Sequence, residues 1–332
     1  MSREPDVSSW PSIAPGFLDF HHVSRKWRAL SQKRTWCACN AYTHHQLRLL
    51  PTHRYISTMA SQPINDRFVV RWAVLILYWL LSFRCFRGLF PRAGPVIFLP
   101  GKLCVKATAF TSLAEASAMR FVAEHTTVPV PKVYSAFEHK GSVYIVMERM
   151  EGDMLARGWR QRTPESRTRI LGSLRGMIQQ LHQIPAPAGC GVSNVDGGAI
   201  YDGRLPGSSF WGPFQTIHDF HRELRGGMDE PEYVAAIPEL GPLIAFHNQP
   251  WPYPVFTHGD LSSLNILARG DEVVGIVDWE TAGWMPPYWE YTSAWNVNPQ
   301  NRFWQQEVNH FIEPLPEALA MEAIRRKYNN DY

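Results

Sequence analysis

At 332 residues the chain is long enough for two domains or one bilobal domain. Its 45 % hydrophobic and 19 % charged content is that of a globular protein, not a disordered one, and a net charge of +3 gives no case for a nucleic-acid partner. The five cysteines (Cys37, Cys39, Cys85, Cys104, Cys190) are scattered and odd in number, so no disulfide framework follows and a reducing, cytoplasmic setting is expected. Cys37 and Cys39 lack partners at zinc spacing.

Residues 1–60 have poor apolar periodicity. From Phe20 to Asn65 there are seven basic residues (Arg25, Lys26, Arg28, Lys33, Arg34, Arg48, Arg54) and no acidic ones. Transit peptides are basic and acid-poor, yet Glu4 and Asp6 stand at the very start. The segment is read as a disordered tail, or as an extension ahead of a true start at Met59. Trp72–Phe83 is then twelve residues without a charge, bracketed by Arg71 and Arg84. A bilayer span needs about twenty apolar residues, so residues 61–90 are read as a peripheral apolar helix. It is first taken to be buried against the lobe that follows. The alternative is membrane contact through 68–84, with flanking arginines and aromatic anchors.

Val96–Leu99 and Lys102–Ala107 read as two strands joined at Pro100-Gly101. Alternation sets Lys106 opposite in sense to Val105, and Lys102 competes with it as a functional lysine. Ser112-x-x-Glu115 opens an apolar-periodic helix through Leu113, Ala116, Met119 and Val122. It also has the form of a capping box, in which Glu115 would serve only the helix start. No GxGxxG loop precedes these strands, and only Arg92-Ala93-Gly94 is available there. Val128–Tyr134 leads to a further strand, and Val143–Met147 is a β-branched run ending at Glu148-Arg149-Met150.

Thr163-Pro164-Glu165 is a helix start with Pro at the first position, followed by a 3.6-residue period from Ile170 to Ile184 that Pro185–Pro187 ends. Asn194–Gly198 is turn-rich, a helix is expected around Thr216–Leu224, another from Tyr291, and a last one over Leu315–Ile324. Of thirteen tryptophans, Trp211, Trp251, Trp279, Trp284, Trp289 and Trp295 fall in this half. Core packing is the plain reading. The alternative is an aromatic wall for a cationic substrate, with Glu280 and Glu290 recognising an amine. Glu280 could equally make a structural bond to the loop at 258–265.

The chemistry concentrates at 255–280. Two short apolar strands flank a loop carrying His258, Asp260 and Asn265, and the second strand, Val273–Val277, delivers Asp278. One carboxylate, Asp260, can accept the proton of an attacking hydroxyl. Asn265 and Asp278 can both ligate Mg²⁺, a hard cation suited to oxygen ligands. The order His-x-Asp-x4-Asn, then a strand ending in Asp, parallels the protein-kinase catalytic loop, with Gly259 in place of its Arg and Asp278-Trp279-Glu280 in place of Asp-Phe-Gly. This variant resembles the aminoglycoside phosphotransferase and choline kinase superfamily, in particular the fungal aminoglycoside phosphotransferase-like proteins. The resemblance covers roughly residues 90–330 and includes Val143–Leu155, Gly191–Tyr201 and Trp279–Tyr291.

The resemblance implies an α+β, bilobal, protein-kinase-like fold. Residues 91–150 would form a small β-rich lobe and 151–332 a larger, mainly helical one, with ATP between them. It implies that Lys106 reaches the nucleotide phosphates and is held by Glu115. Adenine would bond backbone groups at Glu148 and Met150, with Met147 at the back of the pocket. His258 would orient the loop, and Glu280 would stand beside it. The expected activity is ATP- and Mg²⁺-dependent phosphorylation of a small-molecule hydroxyl. The rivals are a non-catalytic nucleotide-binding protein of the same fold and a membrane-associated kinase of a lipid-like alcohol. A protein substrate is disfavoured, because no Asp-Phe-Gly to Ala-Pro-Glu segment is present.

Overall fold

Between residues 92 and 148 a hairpin-rich antiparallel sheet forms because short apolar runs there alternate with turn residues that accept left-handed backbone. A computed structural model describes residues 61–205, 209–227, 234–235, 237–297 and 302–329. The readings of residues 1–60, including Cys37, Cys39 and Met59, lie outside the described residues. The sheet comprises β1 (Arg92–Ala93), β2 (Val96–Leu99), β3 (Leu103–Thr108), β4 (Val133–His139) and β5 (Ser142–Glu148), antiparallel throughout, in the order β1-β2-β3-β5-β4. Lys140 (φ 48°) and Gly141 (φ 74°) form the two-residue β4–β5 turn, both in the left-handed region that suits strand twist. Lys102 also lies in a turn, at φ 62°, rather than in the strand expected from the sequence.

The sheet's two faces have different covers. On one, Ile97, Leu99 and Val105 pack with Val74, Tyr78 and Leu81 of α1 (Phe68–Ser82). On the other, Cys104, Ile145 and Met147 join the main core with α2 (Ala114–His125). Arg71 fastens α1 by donating to Glu138 O at 3.0 Å, with its guanidinium 5.0 Å over the Phe137 ring. The expectation that this helix is buried is corrected: only Leu81 is buried, and Phe68, Val69, Trp72, Ile76, Trp79 and Leu80 are exposed. A helix lying on one sheet face can hide one stripe, and this sequence is apolar on every side.

After β6 (Asp153–Met154), α3 (Pro164–Gln183) begins with Thr163 Oγ1 accepting from Ser166 N–H at 3.3 Å and Pro164 at the first position. It buries Ile170, Leu171, Leu174, Ile178 and Leu181. The two-residue strands β7 (Ser193–Asn194), β8 (Ile200–Tyr201) and β9 (Phe210–Trp211), of which β8 and β9 pair with each other, precede α4 (Ile217–Leu224) and α5 (Leu240–Asn248). Then come β10 (Val255–Thr257), the hairpin β11 (Ile266–Arg269) and β12 (Glu272–Ile276), and β13 (Gly283–Met285). The chain continues through α6 (Trp289–Asn296), α7 (Arg302–Phe311) and α8 (Pro316–Asn329). A β-rich region followed by a mainly helical one is the bilobal, protein-kinase-like architecture. Among the described residues no helix is long and apolar enough to cross a membrane.

Candidate active site

The loop carrying His258, Asp260 and Asn265 joins β10 to β11 and is held by side chains from later in the chain. Trp304 donates its indole N–H to Leu261 O at 2.9 Å, and Thr281 Oγ1 donates to His258 O at 2.9 Å. Glu290, from the first turn of α6, accepts from the backbone N–H of His258 (2.6 Å) and of Gly259 (3.0 Å). Glu290 is fully buried, so the reading that it recognises a substrate amine is corrected: its carboxylate is spent on the loop backbone. Burial pushes its pKa up to about 7, against the pull of those two N–H groups. Gly259 sits at φ +78°, and a Cβ there would lie 2.9 Å from Thr281 O, which explains why this position carries no side chain.

His258 bridges two parts of the site. Its Nδ1 accepts from Asp260 N–H at 3.1 Å, so Nε2 carries the proton and donates to Val277 O at 3.0 Å. Burial lowers its pKa to about 4, which keeps the ring neutral near pH 7. Asn265 donates through Nδ2 to Asp260 O (2.9 Å) and Oδ2 (3.0 Å), so Oδ1 is the atom of its amide able to face a cation. Burial raises the Asp260 pKa, opposed by the nearby Arg204.

Two residues past β12, Asp278 adopts φ 68° and ψ 61°, a left-handed conformation that Asp tolerates better than most side chains. Its Oδ1 accepts from Lys106 Nζ at 2.7 Å across 172 residues of sequence. The same ammonium bonds Glu115 Oε1 and Glu280 Oε2, each at 2.9 Å. Burial alone would lower the Lys106 pKa; the carboxylates of Glu115, Asp278 and Glu280 outweigh it and hold the group charged. Glu115 also accepts from Thr111 Oγ1 at 3.0 Å. The capping-box alternative is therefore not realised, and Ser112 Oγ accepts from Ala114 N–H instead. Glu280 bonds Lys106 rather than the catalytic loop, and burial raises its pKa to about 7. Three carboxylates around one ammonium leave a local surplus of negative charge. That surplus, with the Asn265 amide oxygen nearby in sequence, fits a divalent cation held by few protein ligands. Among the described residues no group of three or more His, Cys, Asp or Glu is arranged to hold a metal ion by itself, so an amide oxygen, water or ligand phosphate would have to complete the set.

Lys102 points elsewhere, 3.4 Å from Glu151 at the surface. Met147 is buried in register with Cys104, and Glu148 N–H donates to Lys132 O at 2.9 Å. Met150 lies against Gly275 of β12, where an added Cβ would come within 3.2 Å of it. The β1–β2 turn at Gly94-Pro95 stands beside Lys106, because Val96 pairs with Lys106 and Ala107 N–H donates to Pro95 O at 3.2 Å. The six tryptophans form no wall: Trp211, Trp279, Trp284 and Trp289 are buried, while Trp251 and Trp295 pack against the cores.

One site residue escaped sequence reasoning. Arg204 holds Asp202 with two 2.8 Å bonds, donates to Gly259 O at 2.6 Å and places Nη1 3.7 Å from Asp260 Oδ1. An arginine thus stands beside the Asp260 carboxylate although the position before it is glycine. The only local signal was a polar turn, Asp202-Gly203-Arg204, fifty-five residues from the loop it serves.

No curated protein sequence matches this chain. Residues 102–325 match the model of the phosphotransferase enzyme family, APH. The chain is similar in fold to the crystal structure of aminoglycoside phosphotransferase APH(4)-Ia, at 16 % identity, covering 77 % of this chain and 87 % of that one with a TM-score of 0.51. A ternary complex of a thermostable mutant of that protein with ADP and hygromycin B is similar at 15 % identity, 70 % and 79 % coverage and a TM-score of 0.50. The family match begins at the turn before Lys106, takes in the 258–265 loop and Asp278, and ends in α8. The chain belongs to the phosphotransferase enzyme family, of the aminoglycoside phosphotransferase and choline kinase type.

Proposed function

We propose that this small-molecule phosphotransferase moves the γ-phosphate of ATP to an alcohol hydroxyl in a Mg²⁺-dependent reaction. The observation that carries the reading is the Lys106 ammonium bonded to both Glu115 and Asp278, with Asp260 and Asn265 joined on the neighbouring loop. In this reading residues 91–150 cover the nucleotide and 151–332 supply the catalytic loop. Backbone groups at Glu148 and Met150 receive adenine, with Met147 behind it. Lys106, released in part from its carboxylates, meets the nucleotide phosphates, while Glu115 keeps its Nζ in place. Asn265 and Asp278 would hold Mg²⁺, which when bound screens phosphate charge. Asp260 accepts or orients the proton of the acceptor hydroxyl, and the raised pKa that burial gives it favours that role. His258 and Glu290 keep the loop in position.

Aminoglycosides, choline-like alcohols and other hydroxylated amines are the acceptor classes to try, and the cytoplasm, where ATP is available, is the proposed location. The test is ATP turnover with Mg²⁺ against a panel of aminoglycosides, choline, ethanolamine and sugar alcohols, beside Asp260→Ala. Acceptor-stimulated turnover that disappears in the variant supports the assignment. Failure of the wild type to bind ATP overturns it.

A further inference from the structure

Helix α1 presents an apolar stripe to the outside of the molecule. Phe68 is 76 % exposed, Ile76 53 % and Trp79 60 %, with Trp72 between them. At about 100° per residue these four side chains fall within one arc of about 80°. Val74, Tyr78 and Leu81, which grip the sheet, lie on the opposite side. The apolar surface runs on past the helix through Phe83, Phe86 and Leu89, all exposed. A surface helix without a polar face has a second partner to meet.

The charges around it say which partner. No acidic residue occurs between Asp66 and Glu115, while Arg67, Arg71, Arg84, Arg87 and Arg92 do. Asp66 is consumed by Arg71, at 2.7 and 2.5 Å. Positions 67, 84 and 87 therefore put basic residues at both ends of the stripe in a stretch of sequence that carries no acidic one. A second copy packed on this stripe would bring arginines against arginines with no carboxylate in the segment to pair them. Anionic lipid headgroups around an apolar interior match both features. At fifteen residues α1 is about 22 Å long, short of the roughly 30 Å of a bilayer interior, and its other side is committed to the sheet.

We propose that residues 67–89 dock the enzyme in-plane on an anionic membrane surface, with Trp72, Ile76 and Trp79 in the headgroup–acyl boundary and the arginines at the phosphates. Val105 faces α1 while Lys106 faces the cleft, so docking leaves the active site directed away from the bilayer. The membrane then serves as a place of work and the acceptor need not be a lipid.

The test is co-sedimentation of the full chain with vesicles of phosphatidylcholine alone and of phosphatidylcholine mixed with phosphatidylserine. We expect binding to the mixed vesicles that weakens with salt. We expect it to fall about tenfold or more in the double variant Ile76→Glu, Trp79→Glu, whose exposed positions leave its melting temperature and ATP binding unchanged. The triple variant Arg67→Gln, Arg84→Gln, Arg87→Gln should lose the preference for phosphatidylserine. Absence of binding to the mixed vesicles overturns the proposal, as does equal binding to both vesicle types. Undiminished binding by the Glu variant overturns it in favour of the basic stretch before residue 66. A dimer in light scattering that the Glu variant dissociates shows that a second copy covers the stripe, and overturns it too. None of these readouts requires turnover, so their failure is distinct from failure of the proposed reaction.

Discussion

Two carboxylates of this site, Glu280 and Glu290, are pushed up to about the same pKa, near 7, and do opposite things. Glu290 is fully enclosed, and both its oxygens are met by backbone N–H groups of the catalytic loop. Every partner it needs belongs to the fold. Glu280 lies partly open to the cleft, and its ammonium partner is already shared with Glu115 and Asp278. That region is overfilled with negative charge. A satisfied buried network rigidifies, whereas an unbalanced one at a cleft is disposed to take up a cation and to let a lysine change partners. The loop that carries Asp260 is thus built as structure, and the Lys106 cluster as a site that, in the proposed reaction, reorganises when nucleotide and metal arrive.

The sharpest way to break this division is Asp260→Asn. Turnover should fall about 10²- to 10⁴-fold, equivalent to ~3–5 kcal/mol in the barrier, with ATP affinity and melting temperature unchanged. Lys106→Ala should cost about 10²-fold or more in kcat/KM, expressed largely through KM for ATP in steady-state kinetics. On the other side of the comparison, Glu290→Gln keeps one acceptor oxygen and leaves one buried loop N–H unmet. It should lose about 2–3 kcal/mol of stability in urea unfolding. Gly259→Ala forces a side chain into φ +78° against Thr281 O and should cost about 1–2 kcal/mol by the same measurement.

A pH series sharpens the Glu290 assignment. Its carboxyl titrates near 7 in the fold against an ordinary 4.5, so between those values the folded chain holds a proton that the unfolded chain has released. This contribution to stability is present below about pH 4.5 and is lost as pH rises through 7. His258 acts in the other direction: its folded pKa, near 4, is below the ordinary 6.5, so its contribution is lost as pH falls. The informative quantity is therefore the difference between wild type and Glu290→Gln. The stability deficit of the variant should narrow as pH rises through 7. A constant deficit would mean that Glu290 does not titrate in this range.

Legibility followed distance along the chain. The Thr163-Pro164 helix start, the long period of α3 and the apolar strands around the catalytic loop depend on neighbours within a few residues, and the sequence alone determined them. Alternation likewise told that Lys106 and Val105 point to opposite faces. Local pattern could not choose between Glu115 as a cap and Glu115 as a partner for Lys106, since both use the same residue at the same spacing. Nor could it tell that Glu290 is enclosed, that Arg204 stands beside Asp260, or that the apolar helix keeps half its surface outside. The tertiary structure decided these because each depends on which group arrives from elsewhere to desolvate or neutralise a side chain. Lys106 and Asp278 meet across 172 residues, and only the packing of the two lobes sets that distance.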